Sequence, residues 1–545
     1  MTFTRRAVSS IFVLALTACS SLVPQGPVQD KTYKITILHT NDHHGRFWKN
    51  RDGEYGMSAR KTLVDAIRQE VKADGGYSLL LDGGDVNTGV PESDLQDAVP
   101  DFKGMNLLGY DAMAVGNHEF DKGPSVLKMQ RDLAAFPMLS ANIYRRGERL
   151  FEPYKIFNLG EVRVAVMGLT TEDTHKMVHP DNVRDIEFRS PIPEAAKLVP
   201  VLRTKADIVI AATHMGHYEN GNHGTQAQGD VEMARAVKGI DLVVGGHTQN
   251  PACMKAENVL DRAYVPASDC KPDRQNGTWI VQAHEWGKYV GRADFEYRNG
   301  KFTLVKYALL PVNLKRAVKN SDGTSSMVNY AADIPEDNAM IALLKPYQEF
   351  GQKRLLIEVG SSDAKLEGDR AVVRTKPTAL GSMIGQAMML KSGADFAVVN
   401  AGGVRESLPA GKINYKDVLT VHPFGNTIAT VVLTGSEVQN YLTAAAKMSP
   451  GSGAFPQFAG IRLNIASGVV SNVQIRGKPL DMAESYRMAI NNFVAAGGDG
   501  YPKLTAHPSY VDTGFVDADV LRAFITARSP LNAASFEPGD SITRQ

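Results

Sequence analysis

Five short apolar runs in this chain each end in a turn that carries carboxylate, imidazole or amide side chains: 35-ITILHTNDHHG-45, 79-LLLDGGD-85, 112-AMAVGNHEFD-121, 207-DIVIAATHMGH-217 and 241-DLVVGGHTQ-249. No other feature constrains the fold as much. Short continuous apolar runs bounded by glycine turns read as buried strands. The helical stretch 57-MSARKTLVDAIRQEV-71 lies between two of them, which predicts a layered α/β arrangement. In open α/β sheets ligands collect outside the carboxyl ends of the strands, so five such ends predict one site. Taken singly, each motif is more readily a structural turn or a satisfied histidine. Together they point to a site of Asp, His, Asn and Gln at one sheet edge.

At 545 residues the chain is too long for one ordinary core and predicts two or more large domains. Apolar residues make up 43% and charged residues 22%, with no low-complexity tract, so the body reads as globular. A formal net charge of +1, from 60 basic and 59 acidic residues, leaves no electrostatic footprint for a nucleic acid polymer. Any anionic substrate must be met by a local cluster. The segment 337-DNAMIALLKPYQEFGQKRLL-356 sets Met340, Leu343, Leu344, Tyr347 and Phe350 at near-helical spacing, interrupted by Pro346. A linker helix is expected over 336–354, with a hinge at Gly351, Gln352 and Lys353. It separates a first domain, 31–335, from a second of mixed α and β structure, 355–545, marked by the glycine clusters 402-GG-403 and 497-GGDG-500.

The chain begins with Arg5 and Arg6 ahead of an apolar stretch too short to span a bilayer comfortably, an export signal over 1–18. Within it 16-LTAC-19 resembles a bacterial lipobox, which implies cleavage before Cys19, a lipid on that cysteine, and a polar tether over 19–30. Ser20 resembles an outer-membrane sorting signal; the alternative is a soluble periplasmic protein. Setting Cys19 aside leaves Cys253 and Cys270, an even number in an exported chain, so a disulfide is expected. Such a bridge would contribute roughly 3 kcal/mol by closing a loop of about 15 residues. A thiolate metal site is the competing reading.

The order D-x-H, GD, GNHE, a lone His and GH-x-Q resembles the calcineurin-like metallophosphoesterases. The longer stretches 79-LLLDGGDVNTGVPESDLQDA-98 and 282-QAHEWGKYVGRADFEYRNG-300 resemble the bacterial 5′-nucleotidase/UDP-sugar hydrolase branch. The resemblance implies a four-layer first domain, a β-sandwich flanked by helices, joined to an α/β nucleotide-binding domain. It also implies one metal held by Asp42, His44 and Gln249, a second by Asn117, His214 and His247, and Asp85 bridging both. Such a pair of divalent ions (Zn, Mn, Co or Mg) activates water and stabilises the charge that develops at phosphorus. His118 and Asp121, three residues apart, become a catalytic dyad by the same resemblance. His43, His217, His223 and His284 are left as lining or supporting residues, and Glu119 as a turn residue facing solvent.

Arg370 and Arg374 lie four apart, the usual pattern of a solvated helix face, and Arg405 follows a glycine pair. Arginine forks also match phosphate, and glycines admit a ligand close to the backbone. The resemblance places all three arginines in a substrate site with Gly403, Phe424, Asn426, Phe493 and Asp499. Two phenylalanines can sandwich a nucleobase with little choice among bases, although singly each is more readily a core residue. The expected function is an exported, monomeric hydrolase that releases phosphate from nucleoside 5′-phosphates, cleaves nucleotide sugars and closes by domain rotation. A 2′,3′-cyclic-nucleotide phosphodiesterase and a non-catalytic nucleotide-binding lipoprotein are the alternatives.

Overall fold

The computed structural model describes residues 26–178, 182–219, 227–320 and 324–544. Two six-stranded sheets form the centre of the first part. One orders its strands Lys301–Pro311, Tyr289–Arg298, Tyr33–Thr40, Tyr77–Asp82, Ala112–Ala114 and Met138–Leu139. The other orders Asp273–Gln275, Thr278–Val281, Leu242–Val244, Ile208–His214, Val162–Thr170 and Tyr154–Leu159. The inner strands are parallel: Leu38 pairs with Leu80 and Leu81 with Ala112 in the first sheet, and Ile210 pairs with Leu242 and Val166 in the second. All five apolar runs singled out in the sequence belong to these parallel strands, so their carboxyl ends open on one edge.

The layering follows from where the apolar faces go. Ile208–His214 is buried along its whole length, as a parallel strand covered on both faces must be. Helices Met57–Ala73 and Val99–Leu108 cover the first sheet through Val64, Ile67, Phe102 and Met105. Helices Pro191–Lys205 and Asp230–Ala236 cover the second through Leu198, Val199, Val231 and Ala234. Gly168 lets the two sheets meet closely, because a Cβ there would collide with the main chain of Leu139. The result is helix, sheet, sheet, helix: four layers.

The linking helix runs Asn338–Leu355, its first turn capped by the Asp337 carboxylate, which accepts the Met340 amide at 2.7 Å. It continues through Pro346, where an interruption was expected. Met340 and Leu344 dock it on the first domain's core, so tertiary packing outweighs the lost hydrogen bond. Phe350 is 45% exposed, so the buried stripe is narrower than the sequence pattern. Gly351, Gln352 and Lys353, the expected hinge, lie inside the helix, and the chain leaves it only at Leu356. Gly351 packs closely on the first domain: a Cβ there would lie 2.6 Å from Glu92 Cγ.

Beyond it a mixed sheet orders Pro456–Ala459, Phe396–Asn400, Ser485–Asn491, Thr427–Thr434 and Val511–Val516. Helix Ala379–Ser392 packs on it, capped by Thr378 at the start and by Gly393 at φ 65° at the end. The apolar clusters on this sheet share no residue with those of the first part. Cys253 and Cys270 are disulfide-bonded. Among the described residues no helix is long and apolar enough to cross a membrane. The export signal and Cys19 lie outside them.

Candidate active site

Five strand ends deliver the site. Asp42 and His44 follow Tyr33–Thr40, Asp85 follows Tyr77–Asp82, and Asn117 and His118 follow Ala112–Ala114. His214 ends its own strand, and His247 and Gln249 follow Leu242–Val244. The turns interlock within and between the sheets: the Asp42 amide donates to Gly84 O of the neighbouring turn at 2.9 Å, and the His247 amide from the second sheet donates to Asp42 Oδ2 at 2.9 Å. Gly116 is required, because any Cβ would fall within contact distance of Asp85 Oδ1. Asp42, His44, Asp85, His247 and Gln249 all have positive φ, between 50° and 75°. Left-handed backbone at non-glycine residues is strained, and strain of this kind clusters at functional sites.

The donor atoms of His44, Asp85 and His118 lie within 4.8 Å of one another, and so do those of Asp85, His214 and His247. Asp85 is common to both sets. His214 Nε2 is 2.9 Å from Asp85 Oδ2, while its Nδ1 faces Gly83 O at 2.7 Å. His44 Nδ1 similarly faces Thr88 O at 2.8 Å, so in both rings the inner nitrogen is directed at the carboxylates. Asn117 Oδ1 is 3.0 Å from His247 Nδ1, and Gln249 Nε2 is 2.6 Å from His44 Nε2. Asp42 Oδ1 is buried with no hydrogen-bond partner.

Burial works against charge throughout this cluster. Even so, the carboxylates Asp85 and Asp42 push the His214 imidazole up to about 10, and the His214 and His118 rings hold the Asp85 carboxyl well below its ordinary range. Burial pushes Asp42 up to about 6, with Asp85 adding to it. A buried proton shared between an imidazole and a carboxylate is what a divalent cation replaces when it binds. Carboxylate, imidazole and amide donors, an orphaned Asp42 oxygen and an aspartate common to two groups fit divalent ions.

Beside the cluster, His118 Nδ1 and Asp121 Oδ2 are 2.6 Å apart. Burial lowers the tendency of His118 to carry a proton, but Asp121 and Asp85 outweigh it and raise its pKa. The ring stacks on Phe424 of the second domain at 5.9 Å. His118, Asp121, Asn117, His247 and Gln249 share a chamber of about 190 Å³ with Arg370, Arg374, Gly403, Arg405, Phe424, Asn426, Phe493 and Asp499. Burial and mutual repulsion with Arg370 pull both Arg374 and Arg405 below the ordinary guanidinium value, and Arg374 Nε is buried without a partner. The chamber is thus built for an anion. Asp499, at φ 55°, accepts from Asn400 Nδ2 at 2.7 Å, and Asn400 is held by Asn491 at 2.9 Å.

Other histidines are used elsewhere. His43 pairs with Asp101 and His217 with Asp273, each at 2.9 Å, and His284 stacks on Tyr289. His223 lies outside the described residues. Glu119 corrects the sequence reading: it is 1% exposed, and its carboxylate accepts the amides of Gly116 at 2.6 Å, Asp85 at 3.1 Å, Val86 at 2.8 Å and Asn87 at 3.3 Å. It ties the Asp85 turn to the His118 turn. No local sequence pattern marks it, nor Tyr218, which lines the chamber.

The chain matches the family described as calcineurin-like phosphoesterase over residues 35–251, and the 5′-nucleotidase C-terminal domain over residues 358–506. It is 56% identical over 523 residues to Protein UshA of Escherichia coli, covering 95% of each chain. It is 54% identical over 544 residues to a 5′-nucleotidase of Vibrio vulnificus, covering 99% of this chain and 98% of that one. The crystal structure of a 5′-nucleotidase precursor from Thermus thermophilus superposes with a TM-score of 0.77 at 29% identity, covering 94% of this chain and 99% of that one. With its phosphoesterase half, its nucleotidase half and full-length relatives of this kind, the chain belongs to the bacterial 5′-nucleotidase family of metal-dependent hydrolases.

Proposed function

We propose that this protein is an exported hydrolase that releases phosphate from nucleoside 5′-phosphates and cleaves nucleotide sugars, supplying nucleosides for uptake. The observation that carries it is the chamber in which the Asp85-centred cluster of the first domain faces the arginines and phenylalanines of the second. The domains are 31–335 for the metals, 336–354 for the link and 355–545 for the substrate. Asp42, His44 and Gln249 would hold one divalent ion and Asn117, His214 and His247 another, with Asp85 shared. Bound there, the ions supply a nucleophilic water at neutral pH and offset charge on the phosphoryl oxygens.

This chain's residues do the rest. Phe424 and Phe493 grip the base, Asn426, Gly403 and Asp499 border it, and Arg370, Arg374 and Arg405 hold the phosphate oxygens. His118, whose hold on a proton Asp121 strengthens, gives its proton to the departing oxygen. From a nucleoside monophosphate the products are nucleoside and phosphate; from a UDP-sugar, water added across the bridging oxygen gives UMP and a sugar 1-phosphate. The motif at Cys19, outside the described residues, supports a lipid tether to the envelope.

A panel of AMP, ATP, UDP-glucose and 2′,3′-cyclic AMP against defined metals tests the reading, with Asp85→Ala as control. AMP and UDP-glucose are expected to turn over only with metal. A preference for the cyclic nucleotide, or release that survives chelation, overturns it.

A further inference from the structure

One buried histidine of the second domain takes no part in the reaction described above. His422 is 5% exposed and follows helix Tyr415–Val421 directly, two residues before Phe424. Its Nδ1 lies 3.1 Å from Gly403 O and 3.7 Å from Asp517 Oδ2, while its Nε2 is buried with no hydrogen-bond partner. A carbonyl oxygen can only accept, so Nδ1 carries a proton and donates it to the Gly403 bond. The ring thereby joins two turns of the chamber wall: 400–405, which brings Gly403 and Arg405, and 422–426, which brings Phe424 and Asn426.

The two turns are not held alike. In the first, the Ala401 amide donates to Phe455 O at 2.9 Å, that of Gly402 to Gly453 O at 2.7 Å and that of Val404 to Ala401 O at 3.1 Å. Gly402 also packs on Gly453, whose Cα would lie 3.1 Å from an added Cβ. This turn is a fixed frame. The second is tied by its main chain only at its ends, where the Arg405 amide donates to Val421 O at 3.1 Å and the Asp517 amide to Asn426 O at 2.9 Å. Its tip is open: Gly425 is exposed at φ 65°, and nothing lies within 4 Å of a Cβ placed there.

Phe424 stands on that open turn. Its ring stacks on His118 at 5.9 Å and lies 5.6 Å from the Arg405 guanidinium, so a shift of the turn changes its distance from both. A nucleotide gripped at its base and at its phosphate binds best when the two grips are spaced before it arrives, because ordering them afterwards costs affinity.

We infer that His422 is a positioning residue, whose bond from Nδ1 to Gly403 O sets the distance between Phe424 at the base and Arg405 at the phosphate. This rests on the placing of base and phosphate proposed above.

Three substitutions separate the donor from the bulk of the ring. His422→Leu removes the donor, His422→Asn keeps an amide nitrogen at the Nδ1 position, and His422→Gln carries it out to the Nε2 position. KM and kcat for AMP, the Ki of inorganic phosphate and the bound metal are measured for each, with Phe424→Ala as reference. His422→Leu and His422→Gln are expected to raise KM by about three- to tenfold, the worth of one hydrogen bond, with kcat within about threefold and the phosphate Ki within about twofold of wild type. His422→Asn is expected to restore KM to within about twofold, and metal content to stay the same throughout. An unchanged KM in the Leu and Gln variants, or an Asn variant as weak as they are, overturns the assignment. So does a phosphate Ki that rises in step with KM, which marks a general loss of structure. Should His422→Leu fail to fold, the contrast between Gln and Asn decides. An unchanged KM in Phe424→Ala overturns the placing of the base and this inference with it; a rise there with none in the His422 variants removes the inference alone.

Discussion

Asp85 is the residue on which both donor sets depend, since each contains it. Asp85→Ala is expected to lose most activity and at least one metal, read by metal analysis of the purified variant. Two fully bound ions with normal turnover would sink the assignment. A chelator is likewise expected to abolish phosphate release by the wild type, and added divalent metal to restore it. His118→Ala should keep its metals yet turn over about 10²–10⁴-fold more slowly, the usual range for a positioned acid or base. Its neighbour supplies a pH test. Burial disfavours the imidazolium, but Asp121 and Asp85 raise the His118 pKa. Asp121→Asn removes the larger attraction, so His118 loses its proton at lower pH. If the protonated ring is needed, the alkaline fall of kcat moves to lower pH. An unmoved limb in the pH–rate profile would assign that fall to another group.

Among the elements, the turns matter more than the strands that carry them. The short helical turn His118–Phe120 follows Asn117 directly, and Glu119 within it reaches back to four amides on two different turns. Burial and the nearby Asp85 charge push the Glu119 carboxyl up to about 7. Glu119→Gln would aim one donor at amides that need acceptors, at a cost of about 1–3 kcal/mol. We expect lower thermal stability and weaker metal binding for Glu119→Gln, in contrast to His118→Ala. Unaltered metal affinity, measured by titration with the chosen ion, would reduce Glu119 to a local brace. The linking helix teaches a related lesson, because it stays continuous through a proline while Met340 and Leu344 dock it on the core.

At the scale of the whole molecule, the site is complete only where the two domains meet. One contact at that boundary joins a buried carboxylate to a half-buried lysine: Lys416 Nζ of the second domain lies 2.6 Å from Glu92 Oε1 of the first, with Gln348 of the linking helix at 3.4 Å. Glu92 is fully buried, so removing its partner leaves an uncompensated charge, a loss that strongly disfavours the arrangement. Lys416→Met is expected to shift the protein toward an open form, with a larger radius of gyration in solution scattering and a higher KM for AMP. Identical scattering and KM would show that the pair does not hold the domains together. An engineered disulfide that locks the cleft open should separately preserve nucleotide binding to the second domain and suppress turnover until it is reduced.

The first-domain side chains that meet at the cluster were legible as candidates because they are encoded locally, at or just after the carboxyl end of an apolar run, as in 79-LLLDGGD-85 and 241-DLVVGGHTQ-249. The same runs announce parallel strands, and with them the α/β class. What the sequence left open depends on contacts between distant segments. Glu119 reads as a turn residue until the Asp85 turn, 34 positions away, closes over it. The contact of Arg370 with Gln249 spans 121 positions and joins the two domains at the chamber, which no local pattern encodes. The donor side chains are carried by single turns, so the sequence by itself determined which residues are candidates; the contacts of Asp85 and the chamber shared by the two domains exist only after folding, because each is built from side chains that meet across the two sheets or the two domains.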